Sequence, residues 1–337
     1  MSKSLLLCFY PLFVDWNHGV ALLSAICKGH DIETDLILLS DMPTFIEKIE
    51  TGSYDFIGFS CTTRRDYDQS VPFMIEAANR GHKVLVGGVY IQRAKPDLKF
   101  AKVCTGDGEY LPLFINYGTE DILDSYICED LNSLPLPDYD LFKGIPYNRE
   151  VTWLSRETTY LPYYSSRGCP FRCAFCEVHH QRPAHQRIRY KVGEDLNELL
   201  SRYSPDVVVL GDALPPYYDE KWRGSWESIS FPFVTYLRAD TRESELRWLH
   251  DRGMVGCFFG VESGNETYRN QVLGKNLHDK DILRTVSVLN EMGVPYMAAY
   301  MRGTPDETWE LQGETAKFME TIGGHPVVYH YESLVVG

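Results

Sequence analysis

The sequence predicts an α/β protein in two parts, a doubly wound parallel sheet followed by an open, partial (βα)6 barrel. Three observations carry this prediction. Short apolar runs alternate with helical patterns through the first part of the chain. A stretch at 132–148 with Pro135, Pro137 and Pro146 and little helical period interrupts them. The alternation then resumes for five or six further units.

Taken in order, Leu5–Tyr10 reads as a strand and Gly19–Lys28 as a helix closed by Gly29. Asp35–Leu39 and Phe56–Ser60 are the second and third strands. Val71–Asn79 is a helix ending near Gly81, and Val84–Val86 a short strand ending in Gly87-Gly88. Ligands of such sheets sit at the carboxyl ends of the strands, which here carry Tyr10–Gly19, Ser60–Thr63, Gly87–Tyr90 and Gly106–Glu109. The prolines mark a linker, giving a first domain at 1–140, a connection at 141–154 and a second domain at 155–337. Its strands fall near Leu161–Tyr164, Val207–Leu210, Phe233–Leu237, Cys257–Val261 and Tyr296–Tyr300, with Val327–Tyr331 as a sixth. Six are too few for a closed eight-stranded barrel, so an open one is expected.

A chain of 337 residues, 44% hydrophobic and 24% charged, suits two folded domains. Its net charge of −14, from 33 basic against 47 acidic residues, argues against nucleic-acid binding, which depends on neutralising phosphates. Arg182–Lys191 holds three Arg and one Lys and reads as a solvated loop. The apolar start, Leu5–Tyr10 and Leu12–Val14, is interrupted by Pro11 and Asp15. It falls short of the ~20 residues that cross a bilayer, so neither a secretory leader nor a membrane anchor is expected. Nine cysteines stand at 8, 27, 61, 104, 128, 169, 173, 176 and 257. Six are scattered through apolar stretches and read as small buried hydrophobes. Three cluster, and in a chain of this kind that points to a reducing cytoplasm where grouped thiols bind metals.

The cluster is Ser166-Arg-Gly-Cys-Pro-Phe-Arg-Cys-Ala-Phe-Cys176, a C-x3-C-x2-C spacing directly after a predicted strand. Three thiolates on one tight loop can reach three corners of an iron–sulfur cubane, leaving the fourth iron open to a substrate atom. A structural zinc site takes four ligands, and His179 and His180 make a Cys3His site the competing reading.

With Phe175 in the aromatic place, this motif resembles the signature of the radical S-adenosylmethionine (SAM) superfamily. The resemblance implies a [4Fe–4S] cluster on Cys169, Cys173 and Cys176 and chelation of SAM by the open iron. It also implies reductive cleavage of the S–C5′ bond, with electrons from a donor such as flavodoxin or ferredoxin. Downstream, Leu210-Gly-Asp-Ala213 sits where that family places polar groups for the SAM amine, which makes Asp212 the candidate. Gly260-Val-Glu-Ser-Gly264, with Glu266 and Lys275 after it, resembles the cobalamin-binding, methylthiotransferase-like branch, as does Gly303-Thr-Pro-Asp-Glu-Thr308. By that resemblance Arg238, Glu262 and Ser263 contact the ribose and carboxylate of SAM, and Phe175 belongs to the same site. Each has a structural alternative: Arg238 and Asp240 as a surface ion pair, Glu266 or Glu307 as a helix-start charge.

The first domain resembles the cobalamin-binding domain of the same branch, through Phe59-Ser-Cys-Thr62, Val86-Gly-Gly-Val89 and Thr105-Gly-Asp-Gly-Glu109. The resemblance implies that Ser60, Thr62, Gly87, Gly88, Gly106 and Glu109 line cobalamin, the glycines letting backbone pass close to a bulky ligand. Two departures matter. In place of Asp-x-His-x-x-Gly the chain has Asp15-Trp-Asn-His18-Gly19, so no histidine is expected on cobalt. Methylthiotransferases carry three cysteines here, whereas Cys8 and Cys61 match two places and Gly87-Gly88 occupies the third. The chain stops at Gly337, where that group carries an RNA-binding domain. The expected function is a cobalamin-dependent radical SAM enzyme methylating an unactivated carbon of a small molecule or peptide. A radical SAM cyclase or rearrangement enzyme, and a methylthiotransferase-like enzyme without cobalamin, stay open, as does a cobalamin or zinc binder without catalysis.

Overall fold

Leu5, Leu6, Leu7, Cys8 and Phe9 form an unbroken apolar run, and all five are buried in strand β1 (Lys3–Phe9). Such runs suit a parallel sheet covered on both faces. The computed structural model describes residues 2–11, 16–118, 127–145, 148–151, 156–176, 178, 185–226 and 229–331. They divide into two compact units at 147/148.

In the first unit β1 is followed by α1 (His18–Lys28), β2 (Ile32–Leu38), α2 (Met42–Thr51), β3 (Phe56–Ser60) and α3 (Arg64–Asn79). Then come β4 (Lys83–Gly87), α4 (Val89–Ala94), β5 (Ala101–Val103) and α5 (Leu111–Tyr117). The sheet is wholly parallel in the order β2-β1-β3-β4-β5. Its direction of winding reverses at β1, which places the ligand crevice of this topology beyond the carboxyl ends of β1 and β3. Asn17 caps α1 through Val20, and Asp41 caps α2 through Thr44. Helix α3 starts seven residues before the apolar period does, held by a capping box between Thr63 and Asp66. Tyr139 and Phe142 are fully buried and stack on Trp16 at 5.5 and 5.6 Å, so the first unit extends past residue 140.

The second unit opens with β6 (Asn148–Val151), antiparallel to β7 (Arg156–Tyr163). It is a strand inside the stretch read as a connection. A short antiparallel pair follows, β8 (Ser166–Arg167) with β9 (Arg187–Ile188). The chain then alternates α6 (Val192–Tyr203), β10 (Val207–Leu210), α7 (Glu220–Gly224), β11 (Phe233–Arg238), α8 (Glu243–Asp251) and β12 (Met254–Glu262). It ends with α9 (Glu266–Gln271), α10 (Asp279–Glu291), β13 (Tyr296–Arg302), α11 (Trp309–Ile322) and β14 (His325–His330). Strands β7, β10, β11, β12, β13 and β14 are mutually parallel in that order, the open six-unit barrel of the sequence prediction.

Alternation along β11 separates two faces. Phe233 packs on Trp226, whereas Val234 joins Val207 in an apolar layer and Tyr236 stacks on Phe258 at 5.1 Å. Arg238 lies two residues beyond Tyr236 on the same face. The basic stretch at 182–191 is not a solvated loop where it is described. Arg187 and Arg189 are buried, and for Arg189 the reason is Asp195 of α6, which turns inward and pairs with it while accepting from the Tyr163 hydroxyl at 2.5 Å. Among the described residues no helix is long and apolar enough to cross a membrane.

Candidate active site

The cysteine loop leaves β8 through Gly168, which has φ +88° and where a Cβ would stand 3.1 Å from the His185 carbonyl oxygen, a position that favours glycine. Cys169, Cys173 and Cys176 follow, and the Cys176 amide donates to the Cys173 carbonyl at 3.0 Å. Burial pushes the Cys169 and Cys176 thiols up. Opposing that are backbone N–H groups of Phe171 and Val178 and the cations Arg238 and Lys275; the thiols themselves interact electrostatically. No disulfide forms among the described residues. As placed, the three thiols do not form a single-ion site, and no other group of three His, Cys, Asp or Glu does so among the described residues. His179 and His180, the expected zinc ligands of the competing reading, lie outside the described residues, as does Asp15.

The segment after α9 backs this loop. Ala174 donates its amide to the Leu273 carbonyl at 2.9 Å, and at Gly274, φ +61°, a Cβ would stand 3.5 Å from the Ala174 nitrogen. Arg238 joins the same assembly from the end of β11. Its guanidinium donates to the carbonyls of Lys275 and of Asn276 (2.8 Å) and to Asp240 (3.0 Å). It also lies 4.0 Å from Cys173 Sγ and 4.0 Å above the Phe171 ring. Arg238 is 7% exposed, so the surface ion-pair alternative is corrected: the residue is buried against the cysteine loop.

Glu262 ends β12 in the left-handed region, at φ +71°, and accepts from Lys275 Nζ at 2.6 Å with both side chains almost buried. Gly260 makes room for the pair, since a Cβ there would stand 2.6 Å from Lys275 Nζ. The ammonium is 5.7 Å from the centre of the half-buried Phe175 ring. Ser263 is buried; its hydroxyl accepts from the Asn265 amide at 3.2 Å and its carbonyl from the fully buried Arg269 at 2.8 Å. Asp212 is fully buried at the end of β10, bonded to Ser165 and Ser166, and burial pushes its carboxyl up to about 6. The structure therefore brings Phe175, Arg238 and Glu262 together with the cysteines. Ser263 and Asp212 are engaged in hydrogen bonds to their own chain. Lys275 was noted in the sequence only as part of a motif; its value as an ion-pair partner has no signal there beyond the charge. Glu266 follows its structural alternative, standing in the first turn of α9 and accepting from His278 and the Asp279 amide. Glu307 lies before the cap of α11 and instead accepts from the Gly303 amide at 2.6 Å.

In the first unit, Ser60 and Gly87 are register partners at the ends of β3 and β4. Gly106 and Glu109 follow β5, and Thr62 is exposed just beyond β3. All six predicted residues thus gather at one edge of the sheet. Gly88 has its own reason to be bare. At φ +110° a Cβ would stand 2.7 Å from Cys61 N, so the Cys61 backbone, and not only a ligand, requires glycine. At Gly87 a Cβ would meet Cys104 Cβ at an ordinary 3.5 Å. Asp66 accepts from the amides of Thr62 and Thr63 at 2.7 and 2.6 Å, and the Gly106 carbonyl from Gln92 at 3.0 Å. His18 begins α1 with Nδ1 2.9 Å from the Tyr139 hydroxyl. Cys8 and Cys61 are buried and burial pushes both thiols up, the setting of inert core cysteines.

Residues 163–319, from the end of β7 into α11, match the Radical SAM superfamily. The second unit carries a radical SAM domain. Across the whole chain, the uncharacterized methyltransferase PH0819 of Pyrococcus horikoshii is 24% identical over 352 aligned positions, covering 90% of this chain and 73% of that protein. The bacteriochlorophyllide d C-8(2)-methyltransferase of Chlorobaculum tepidum is 27% identical over 137 positions, 39% of this chain and 30% of its own. Among solved structures, the radical SAM methyltransferase TsrM from Kitasatospora setae superposes with a TM-score of 0.75 at 14% identity. The match covers 98% of this chain and 73% of that one. TsrM has been described with tryptophan and the SAM analog aza-SAM, and with cobalamin and a [4Fe–4S] cluster. The likeness extends the shared fold from the radical SAM domain to the first unit as well.

Proposed function

We propose that the chain is a cobalamin-dependent radical SAM methyltransferase. The observation that carries this is the loop of Cys169, Cys173 and Cys176, set against Arg238 and Lys275 at the carboxyl ends of a partial barrel. Three thiolates on one tight loop suit three corners of a cubane and leave its fourth iron open. When bound, the cluster supplies the electron that splits SAM and cobalamin supplies the methyl group. Cys169, Cys173 and Cys176 would hold the cluster. The two cations offset the charge of three thiolates in a poorly solvated site. Phe175, Glu262 and Ser263 would border SAM, with the strain at Glu262 held by Lys275.

For the first unit the same reading puts cobalamin at the edge formed by Ser60, Thr62, Gly87, Gly88, Gly106 and Glu109. That edge lies at the switch-point end of a 2-1-3-4-5 sheet, where ligands of this topology bind, and TsrM, alike in fold, is described with cobalamin. In domain terms, the first unit would bind cobalamin and the second cleave SAM, the division falling at 147/148 inside the expected connection. The named relatives are methyltransferases, which favours methylation over cyclisation. The acceptor would be a small molecule or peptide, the electron donor a flavodoxin or ferredoxin, and the compartment a reducing cytoplasm.

The test is anaerobic reconstitution of the full chain with iron, sulfide and hydroxocobalamin. Wild type should hold about four iron per chain and, with a low-potential reductant, release both 5′-deoxyadenosine and S-adenosylhomocysteine from SAM. The Cys169→Ala/Cys173→Ala/Cys176→Ala variant should lose the iron and the 5′-deoxyadenosine. Stoichiometric zinc in place of iron would overturn the cluster. Release of 5′-deoxyadenosine with no S-adenosylhomocysteine would overturn methyl transfer in favour of a cyclase or rearrangement.

A further inference from the structure

Asp212 is the most completely enclosed acid beside the cysteine loop: it stands at the carboxyl end of β10 and none of its surface reaches solvent. Four donors converge on its carboxylate. The Ser165 amide and hydroxyl each lie at 3.2 Å, the Ser166 hydroxyl at 2.6 Å, and the Ser166 amide completes the set. An ionised carboxylate offers about four lone-pair sites, and here each faces a donor of the same dipeptide. The anchored serine is itself braced. Gln186 donates its amide to the Ser166 hydroxyl at 3.0 Å and to the Leu214 carbonyl at 2.5 Å, and the Tyr218 hydroxyl donates to its carbonyl oxygen. The Tyr164 ring lies across Gly211, where a Cβ would come within 2.6 Å of its hydroxyl. Beyond Ser166 the chain has only Arg167 and Gly168 before Cys169.

We infer that Asp212 is a positioning residue: it fixes Ser165 and Ser166, and through them the start of the cysteine loop, instead of meeting the amine of SAM. The inference rests on the cluster reading of Cys169, Cys173 and Cys176. A carboxylate suits this task and a carboxamide does not. Two hydroxyls and two amides all donate, and an asparagine would turn an NH2 group toward some of them. Keeping a carboxylate in a dry site is costly, and its pKa of about 6 shows that the four hydrogen bonds offset that cost only in part. A residue whose only task was packing would be neutral.

The experiment compares anaerobically reconstituted full-length wild type with Asp212→Asn, Ser165→Ala/Ser166→Ala and the conservative Ser166→Thr. Iron per chain and its resistance to a chelator report the loop. The Kd for SAM per loaded cluster, with the change SAM causes in the cluster's electron paramagnetic resonance spectrum, reports the ligand. Loss of an orienting partner around metal ligands typically weakens metal binding about 10- to 100-fold. Asp212→Asn and the serine pair should both lose cluster in that range, Ser166→Thr should load like wild type, and the loaded fraction of every variant should bind SAM within about twofold of wild type. Full cluster retention in Asp212→Asn with SAM binding weakened at least tenfold would overturn the inference and restore the amine contact. Normal loading of the serine pair would also overturn it. Wild type without iron would instead refute the cluster reading, and this inference with it.

Discussion

Removing Lys275 should destabilise the second unit more than any other single charge change at the site. Its ammonium and the Glu262 carboxylate are 2.6 Å apart, with side-chain exposures of 9 and 10%. At an effective dielectric of about 20, attraction over that distance is worth about 6 kcal/mol, most of it offsetting the desolvation of two ions. Lys275→Met deletes the attraction and leaves the carboxylate buried at a backbone φ of +71° that already favours glycine. The expected loss is about 3–5 kcal/mol. Glu262→Gln should cost less than Lys275→Met, and the double variant should recover at least about 2 kcal/mol of the summed losses, because no charge is then left unpaired. The assay is urea unfolding followed by tryptophan fluorescence, since Trp222, Trp226 and Trp248 cluster in the same unit. Losses that add within about 0.5 kcal/mol would refute the reasoning, because independent sites behave in that way.

Gly88→Ala should destabilise the first unit by about 2 kcal/mol or more, combining a strained φ with a clash against Cys61. Gly81→Ala, at φ +85° but with open space around it, should cost only about 1 kcal/mol; equal midpoints by circular dichroism would remove the clash from the account. A buried acid with a raised pKa stabilises the fold most below its unfolded value and loses that contribution as pH rises through the folded one. Between pH 3.8 and about 6, Asp212 should therefore give up about 3 kcal/mol, and thermal unfolding of Asp212→Asn should gain on wild type over that window; parallel curves would contradict the shift. His18→Ala should leave hydroxocobalamin binding unchanged, because Tyr139 already holds the ring at 2.9 Å. Loss of a cobalt–nitrogen signal in that variant would restore His18 as a ligand.

Strands were legible in the sequence wherever both faces are covered. Phe56–Ser60 and Val207–Leu210 are continuous apolar runs and need no partner to be recognised. Other elements were passed over. Helix α2 went unassigned although Met42, Phe45, Ile46 and Ile49 recur at i, i+3, i+4 and i+7; of these Phe45 and Ile49 are the buried pair. Pro72 and the polar run Arg64–Ser70 hid the first turns of α3, where the decisive signal is local, the Thr63–Asp66 capping box. β5 has three half-buried residues, and β6 exists only through its antiparallel pairing with β7, which no local pattern encodes.

The cysteine loop was legible because three thiols within a short turn have few other uses. The groups around it were legible in place but not in connection. A polar residue at the carboxyl end of a barrel strand is assigned to the layer facing the ligand, yet the same address serves residues that tie neighbouring strand ends together. Arg238 shows the difference. Its guanidinium donates to two carbonyls of the segment that backs the cysteine loop and to Asp240 while lying beside Cys173. Hydrogen bonds made by a charged group are worth about 1.5–3 kcal/mol each. A SAM carboxylate recruiting Arg238 would have to replace those bonds and would loosen residues 275–276, which carry the partner of Glu262. The cation therefore serves a ligand most readily from where it already stands, by charge and at fixed distance. Arg238→Lys, which keeps the charge but loses the planar fork, should then weaken cluster retention more than it weakens SAM affinity per loaded cluster.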